Sequence, residues 1–187
     1  MIRDVDIRRA LRAEVQQRHA NDSDTVILDE LGLRQGAARV DVAVVNGVLH
    51  GYEIKSDVDT LRRLSSQVKT YSEVLDSATV VSSSEHIDHA AASIPDWWGV
   101  VLAAPLDGQV GFSTVREGTP NPGLDVRALA ELLWHDDALA LLRARGAERG
   151  LSRRPRRFAW DRVCDVFTVD EIRDEVRRLI KARASGE

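Results

Sequence analysis

Two runs of strand-forming residues, Arg39-Val40-Asp41-Val42-Ala43-Val44-Val45 and Val48 to Lys55, flank the dipeptide Asn46-Gly47. Apolar residues on both sides of an Asn-Gly turn signal leave the chain little choice but an antiparallel hairpin. The hairpin carries Asp41 on one strand and Glu53-Ile54-Lys55 on the other. Two carboxylates and an ammonium on adjacent strands are what metal-dependent phosphodiester hydrolysis needs: oxygens for a hard divalent cation and a positive charge for the attacked phosphate. The plainer alternative is a set of charged residues at strand ends. Lys55 stands out because the chain has only three lysines, the others being Lys69 and Lys181, among 26 basic residues.

Register decides whether the two acids can cooperate. A two-residue Asn46-Gly47 turn would pair Val45 with Val48 and Asp41 with Tyr52, turning Glu53 to the opposite face. A three-residue loop or a bulge puts Asp41 and Glu53 on one face, and Lys55 joins Glu53 through strand alternation. An irregular hairpin is therefore expected.

Around the hairpin the periodicities alternate. A first helix follows Asp4 or Asp6, with Ile7, Leu11 and Val15 on its apolar side; Val26-Ile27-Leu28 leads into a strand. After Lys55, with Ser56 or Asp57 as the expected cap, a helix presents Leu61, Leu64, Val68, Tyr71 and Leu75. Ala78 to Val81 reads as a buried strand, Glu85 to Ser93 as a short helix and Trp98 to Leu102 as another strand. The order is α, β, β, β, α, β, α, β. The Pro- and Gly-rich stretch from Glu117 to Gly123 then breaks the chain. Helices are expected over Val126 to Ala144 and Val169 to Ala184. The segment from Arg143 onward holds 13 basic and 8 acidic residues, net +5, whereas the rest is −9, so a basic appendage follows an acidic body.

The quoted residues resemble the PD-(D/E)XK nuclease superfamily, with Asp41 as its aspartate and Glu53-Ile54-Lys55 as its acidic-x-lysine triplet. Gln67 and Tyr71 on the following helix are similar to the glutamine-x-x-x-tyrosine element of its exonuclease-like branch. The longer text through Ile94-Pro95-Asp96-Trp97-Trp98-Gly99 and Leu132-Leu133-Trp134 resembles a bacterial, uncharacterised nuclease-like family. Val40 stands where the superfamily's name has proline. The resemblance implies an α/β fold with a restriction-endonuclease-like core (α-β-β-β-α-β) over residues 1–118 and a helical, basic C-terminal extension over 124–187. It further implies a Mg²⁺- or Mn²⁺-dependent nuclease, with DNA the expected substrate and repair, phage-related processing or defence as roles. Asp41, Glu53, Lys55, Glu30 and Gln67 would be catalytic, and Asp41, Glu53, the Ile54 carbonyl and Glu30 would hold metal. Glu14 is the alternative for the additional acid.

Arg63 lies one turn from Gln67 and, with Tyr71, forms a stripe that could face a phosphate, though Tyr71 also suits the core. Arg153, Arg154, Arg156 and Arg157 beside Phe158 and Trp160 fit phosphate contacts or a solvated face. Trp97 and Trp98 suit a core better than base stacking, and His86 and His89 suit a polar helix face better than a metal site. A homodimer or a larger assembly is compatible with this. The alternative function is a non-catalytic nucleic-acid-binding or partner-binding module on the same fold. Single Cys164 excludes an internal disulfide, and the amino terminus lacks an apolar leader, so a cytoplasmic protein is expected.

Overall fold

The computed structural model describes residues 2–186. Helix α1 (Asp4–Arg18) leads into β1 (Val26–Leu33), a 3₁₀ turn (Arg34–Gly36), β2 (Ala38–Val45) and β3 (Leu49–Lys55). A second 3₁₀ turn (Leu61–Arg63) opens α2 (Leu64–Val74), followed by β4 (Ser77–Ser83), α3 (Ile87–Ala92), β5 (Gly99–Leu106) and β6 (Gln109–Arg116). Four helices close the chain: α4 (Val126–Ala130), α5 (His135–Arg143), α6 (Arg156–Val166) and α7 (Val169–Ser185).

The strands form one mixed six-stranded sheet in the order β1-β2-β3-β4-β5-β6. Pairing is antiparallel from β1 to β3, parallel from β3 through β5, and antiparallel again at β6. Each parallel step is bridged by a helix, α2 or α3, as parallel neighbours require. The sheet divides the core in two. On one face α1 lays Ile7, Leu11 and Val15 over Val42, Val44, Tyr52 and Ile54. On the other face α2 and the C-terminal helices bury Leu33, Val40, Ala43, Val45, Tyr71, Leu129, Trp160, Val163, Val176 and Ile180 in one continuous cluster. The segments 1–118 and 124–187 thus share a core.

Particular side chains fix that arrangement. Asp76, after α2, accepts the Leu49 N–H at 2.7 Å and pairs with Arg173 at 3.0 Å and Arg177 at 3.1 Å, tying α7 to the start of β3. Asn121 donates from Nδ2 to the carbonyls of Ser72 and Leu75, both at 2.8 Å, satisfying the end of α2. Thr168 and Glu171 form a capping box on α7.

Helix α2 begins later than expected because Ser56 donates its N–H and hydroxyl to Asp59, at 2.8 and 2.6 Å, and so makes a turn in place of a helix cap. Asp57 instead accepts the Ile2 N–H at 2.7 Å. The stretch expected as one helix over Val126 to Ala144 is broken between Ala130 and His135. Strand β6 and helix α6 are additional.

One irregularity in the sheet governs the site. Along β1, Leu28, Leu31 and Leu33 all belong to the helical face; along β2, so do Val45, Ala43, Val40 and Ala38. Strict alternation cannot give a three-residue step. The extra step falls at Glu30 on β1, which has φ +57°, and at Asp41 on β2, and the same count pairs Asp29 with Val42 and Leu31 with Val40 on either side. Both strands therefore change phase at facing positions, as matched bulges.

Candidate functional site

The β2–β3 hairpin has the three-residue loop, Asn46-Gly47-Val48, closed by Val45 paired with Leu49. The Asn46 N–H donates to the Val48 carbonyl at 3.1 Å, and the Asn46 side chain accepts the Val48 N–H at 3.1 Å. Val42 consequently faces Tyr52, and continuing that register sets Asp41 against Glu53. Both line a polar recess of about 450 Å³ with Lys55, Gln67, Arg63, Arg39, Glu30 and the Ile54 main chain.

Within the recess every carboxylate oxygen of the central pair already has a donor. Asp41 accepts the Ile54 N–H on Oδ2 at 2.8 Å and Arg8 Nη2 on Oδ1 at 2.9 Å; Arg8 Nη1 also donates to the Asp41 carbonyl at 2.8 Å. Glu53 accepts Lys55 Nζ on Oε1 at 2.6 Å and lies 2.6 Å from the Tyr71 hydroxyl through Oε2. Lys55 reaches Gln67 Oε1 at 3.2 Å as well. Glu53 and Lys55 are 1% and 5% exposed, so this ion pair is desolvated and depends on its own geometry. Burial, reinforced by the charge of Asp41, pushes the Glu53 carboxyl above its ordinary range, against the opposing pull of Lys55.

Tyr71 is buried, stacks on Trp98 with ring centroids 5.7 Å apart, and has its hydroxyl 2.5 Å from the Arg39 carbonyl. One hydroxyl proton faces two acceptors, Arg39 O and Glu53 Oε2. The hydroxyl therefore shares its single proton between the Arg39 carbonyl and the Glu53 carboxylate. Burial, then the Glu53 charge, raises the Tyr71 pKa and keeps the phenol neutral.

Glu30 lines the recess, but its carboxylate is taken by Arg39 Nη1 at 2.7 Å, and both side chains are exposed. Glu14 lies elsewhere, paired with Arg18 at 2.9 Å beside His50 and Tyr52. Arg153, Arg154, Arg156 and Arg157 are exposed and lie outside this recess. Arg154 and Arg157 sit over Phe158 at 5.0 and 4.9 Å, and Arg156 over Trp160 at 5.2 Å. Trp98 is core, as expected. Two charged recess residues escaped the sequence: Arg8, whose only signal is its i,i+4 relation to Asp4, and Arg39, two residues before Asp41 on the same strand.

The donor set bears directly on a metal. Asp41, Glu53 and the Ile54 carbonyl are oxygen donors suited to Mg²⁺. As folded, Arg8 and Lys55 supply positive charge there and would compete with a divalent ion. Among the described residues, no group of three or more His, Cys, Asp or Glu side chains is arranged to hold a metal ion. No helix among them is long and apolar enough to cross a membrane.

The family model described as bacteriophage P4 protein cII matches residues 5–186, and the chain belongs to that family. Protein cII of Enterobacteria phage P4 is 26% identical over 161 residues, covering 86% of this chain and 60% of that protein. The chain thus spans about three-fifths of that relative's length. No solved structure matches. Membership in this phage family overturns the resemblance to PD-(D/E)XK nucleases and to an uncharacterised bacterial nuclease-like family, and with it the expected nuclease and hydrolase activity. The physical reason for the misassignment is that an acid-x-lysine triplet behind an aspartate strand specifies where three side chains stand. It does not specify what else meets them, such as Arg8 on Asp41.

Proposed function

We propose that this member of the bacteriophage P4 protein cII family is a non-catalytic nucleic-acid-binding module, a regulator that acts by occupying its target. The observation that carries the reading is the internal pairing of Asp41 and Glu53 with donors of the fold itself, while Arg63 at the recess and further cations outside it stay exposed. Phosphate binding requires positive charge that the fold has not already neutralised. Arg63 at the recess, and Arg153, Arg154 and Arg157 on the turn before and at the start of α6, are exposed and have no carboxylate partner among the described residues. The core pair then serves as a rigid floor: Lys55, Glu53, Tyr71 and Gln67 lock α2 to β3 and hold Arg63 at the edge.

The scaffold keeps an α-β-β-β-α-β order like that of restriction-endonuclease-like cores and uses it for binding. DNA is the first polymer to test. A divalent cation at Asp41, Glu53 and the Ile54 carbonyl, with Glu30 assisting, belongs to this proposal only as a competitor of Arg8, and binding does not depend on it.

Fluorescence anisotropy with labelled DNA over a salt series tests the reading. Arg63→Glu combined with Arg153→Glu and Arg154→Glu should weaken binding by on the order of a hundredfold and lower the salt slope by about one for each phosphate that the variant no longer engages. Unchanged affinity and slope would overturn it. So would DNA cleavage by the wild type that disappears in Asp41→Ala while affinity persists.

A further inference from the structure

A second hollow of about 520 Å³ lies between the β1–β2 connection and the C-terminal helices. Its floor is apolar, with Leu28 and Leu31 from β1 and Ile180 from α7. Trp134 stands at its edge and is 65% exposed. That exposure is unusual for an indole in a chain whose other large aromatics are mostly buried. The side chain caps nothing, although Trp134 precedes α5. Instead the Arg183 guanidinium covers the ring 4.1 Å from its centroid and fixes its orientation.

The charges of the hollow are unevenly spent. Glu131 is paired with Arg127 at 3.0 Å and Arg34 at 3.6 Å, and Asp137 with Arg183. Arg156 has no carboxylate partner among the described residues; it touches the Gln35 side chain and the Trp160 ring. On the wall, His135 Nδ1 is buried without a hydrogen-bond partner.

Position matters as much as content. The Arg34–Gly36 turn separates this hollow from the Asp41 recess: Gln35 lines the one and Gly36 the other. Arg34, Gln35 and Gly36 have φ of +49°, +59° and +91°, three successive left-handed residues. Two of them are not glycine, and backbone held in this region clusters at binding sites.

We infer that the hollow takes one unpaired base of a nucleic-acid strand, stacked on Trp134 above the apolar floor, with Arg156 on the adjoining phosphate. The inference rests on the nucleic-acid-binding reading and names the form of polymer that it favours. An aromatic face beside an unpaired guanidinium is the combination by which single strands are held, because every base offers a π-face and every link a phosphate. A base within an intact duplex has both faces occupied by its neighbours and cannot enter without being extruded. The strand would cross the Arg34–Gly36 turn to reach Arg63, so the two hollows form one track.

The test compares a single strand, a blunt duplex and a duplex with a single-stranded overhang, each labelled, against wild type, Trp134→Ala, Trp134→Phe and Arg156→Ala. Wild type should prefer the single strand and the overhang. Trp134→Ala should weaken those two by on the order of tenfold and leave the blunt duplex unchanged. Trp134→Phe should recover most of the loss, and Arg156→Ala should weaken binding while lowering the salt slope. Unaltered melting of Trp134→Ala would exclude misfolding, and Arg156→Ala gives a second readout if it does not. Equal wild-type affinity for the three substrates, or no loss in either alanine variant, would overturn the inference and leave nucleic-acid binding standing. Failure of the wild type to bind any of the three would overturn both.

Discussion

Replacing Lys55 with methionine tests whether the recess is a sealed electrostatic unit. Methionine keeps the length and apolar stem of lysine, so the substitution removes the ammonium 2.6 Å from Glu53 with little change in packing. Breaking a buried pair at one end ordinarily costs about 3–5 kcal/mol. Glu53 has an escape, because it can take a proton. At pH 7, protonating a carboxyl of ordinary pKa 4.5 costs about 3.4 kcal/mol, which caps the electrostatic loss, and the wild type already bears part of it. At pH 5 the cap falls to about 0.7 kcal/mol. The sign follows from the raised pKa of Glu53. Its stabilising contribution is complete below pH 4.5 and is lost as pH rises through the raised value, and removing Lys55 moves that value up. Urea denaturation should therefore show a small deficit for Lys55→Met at pH 5 that widens to as much as about 3 kcal/mol at pH 7, or about 6–12 °C in Tm. A deficit equal at both pH values, or below about 1 kcal/mol at pH 8, would refute the account.

His50 should behave in the opposite sense. Burial and the nearby charges of Arg18 and His19 lower its pKa from 6.5 to about 4, so its contribution is present above pH 6.5 and lost as pH falls toward 4. Its ring proton shift in an NMR titration should stay constant from pH 8 to 5, and a midpoint near 6.5 would contradict the structure. Asn121→Ala removes both Nδ2 hydrogen bonds at the end of α2 and should cost about 2 kcal/mol in urea denaturation, with nucleic-acid affinity retained.

The hairpin was legible because its signals are local. Asn46-Gly47, the flanking alternation and the positions of Asp41, Glu53 and Lys55 lie within seventeen residues, and turn chemistry fixes their register. Strand β6 was not read from the sequence, although it follows an Asp107-Gly108 turn in which both residues have positive φ, +48° and +78°. Its apolar pattern is too weak to carry that signal further. Helix α6 was hidden in a basic run whose arginines outweigh the stripe of Ala159, Trp160 and Val163. Long-range contacts were least legible. Arg8 reaches Asp41 across 33 positions of sequence and changes the meaning of the acid, while Arg156 meets Gln35 across 121. A residue's type says what it can bond to; the partner that claims it is a property of the fold.

The paired phase change at Glu30 and Asp41 acts like a dislocation in a crystal. An ordinary antiparallel pair that slips by one residue exchanges inside for outside along its whole length. Here β1 and β2 each consist of two short segments in opposite phase, meeting at the same level. A slip would leave one strand's defect opposite regular backbone in the other, so the two defects can match in only one alignment. The register of the sheet edge is thereby keyed by two charged residues and does not depend on hydrophobic alternation alone. Regularising one strand by deleting Glu30 would strand the other defect unmatched, and Asp41 would lose the place from which it meets both Arg8 and β3.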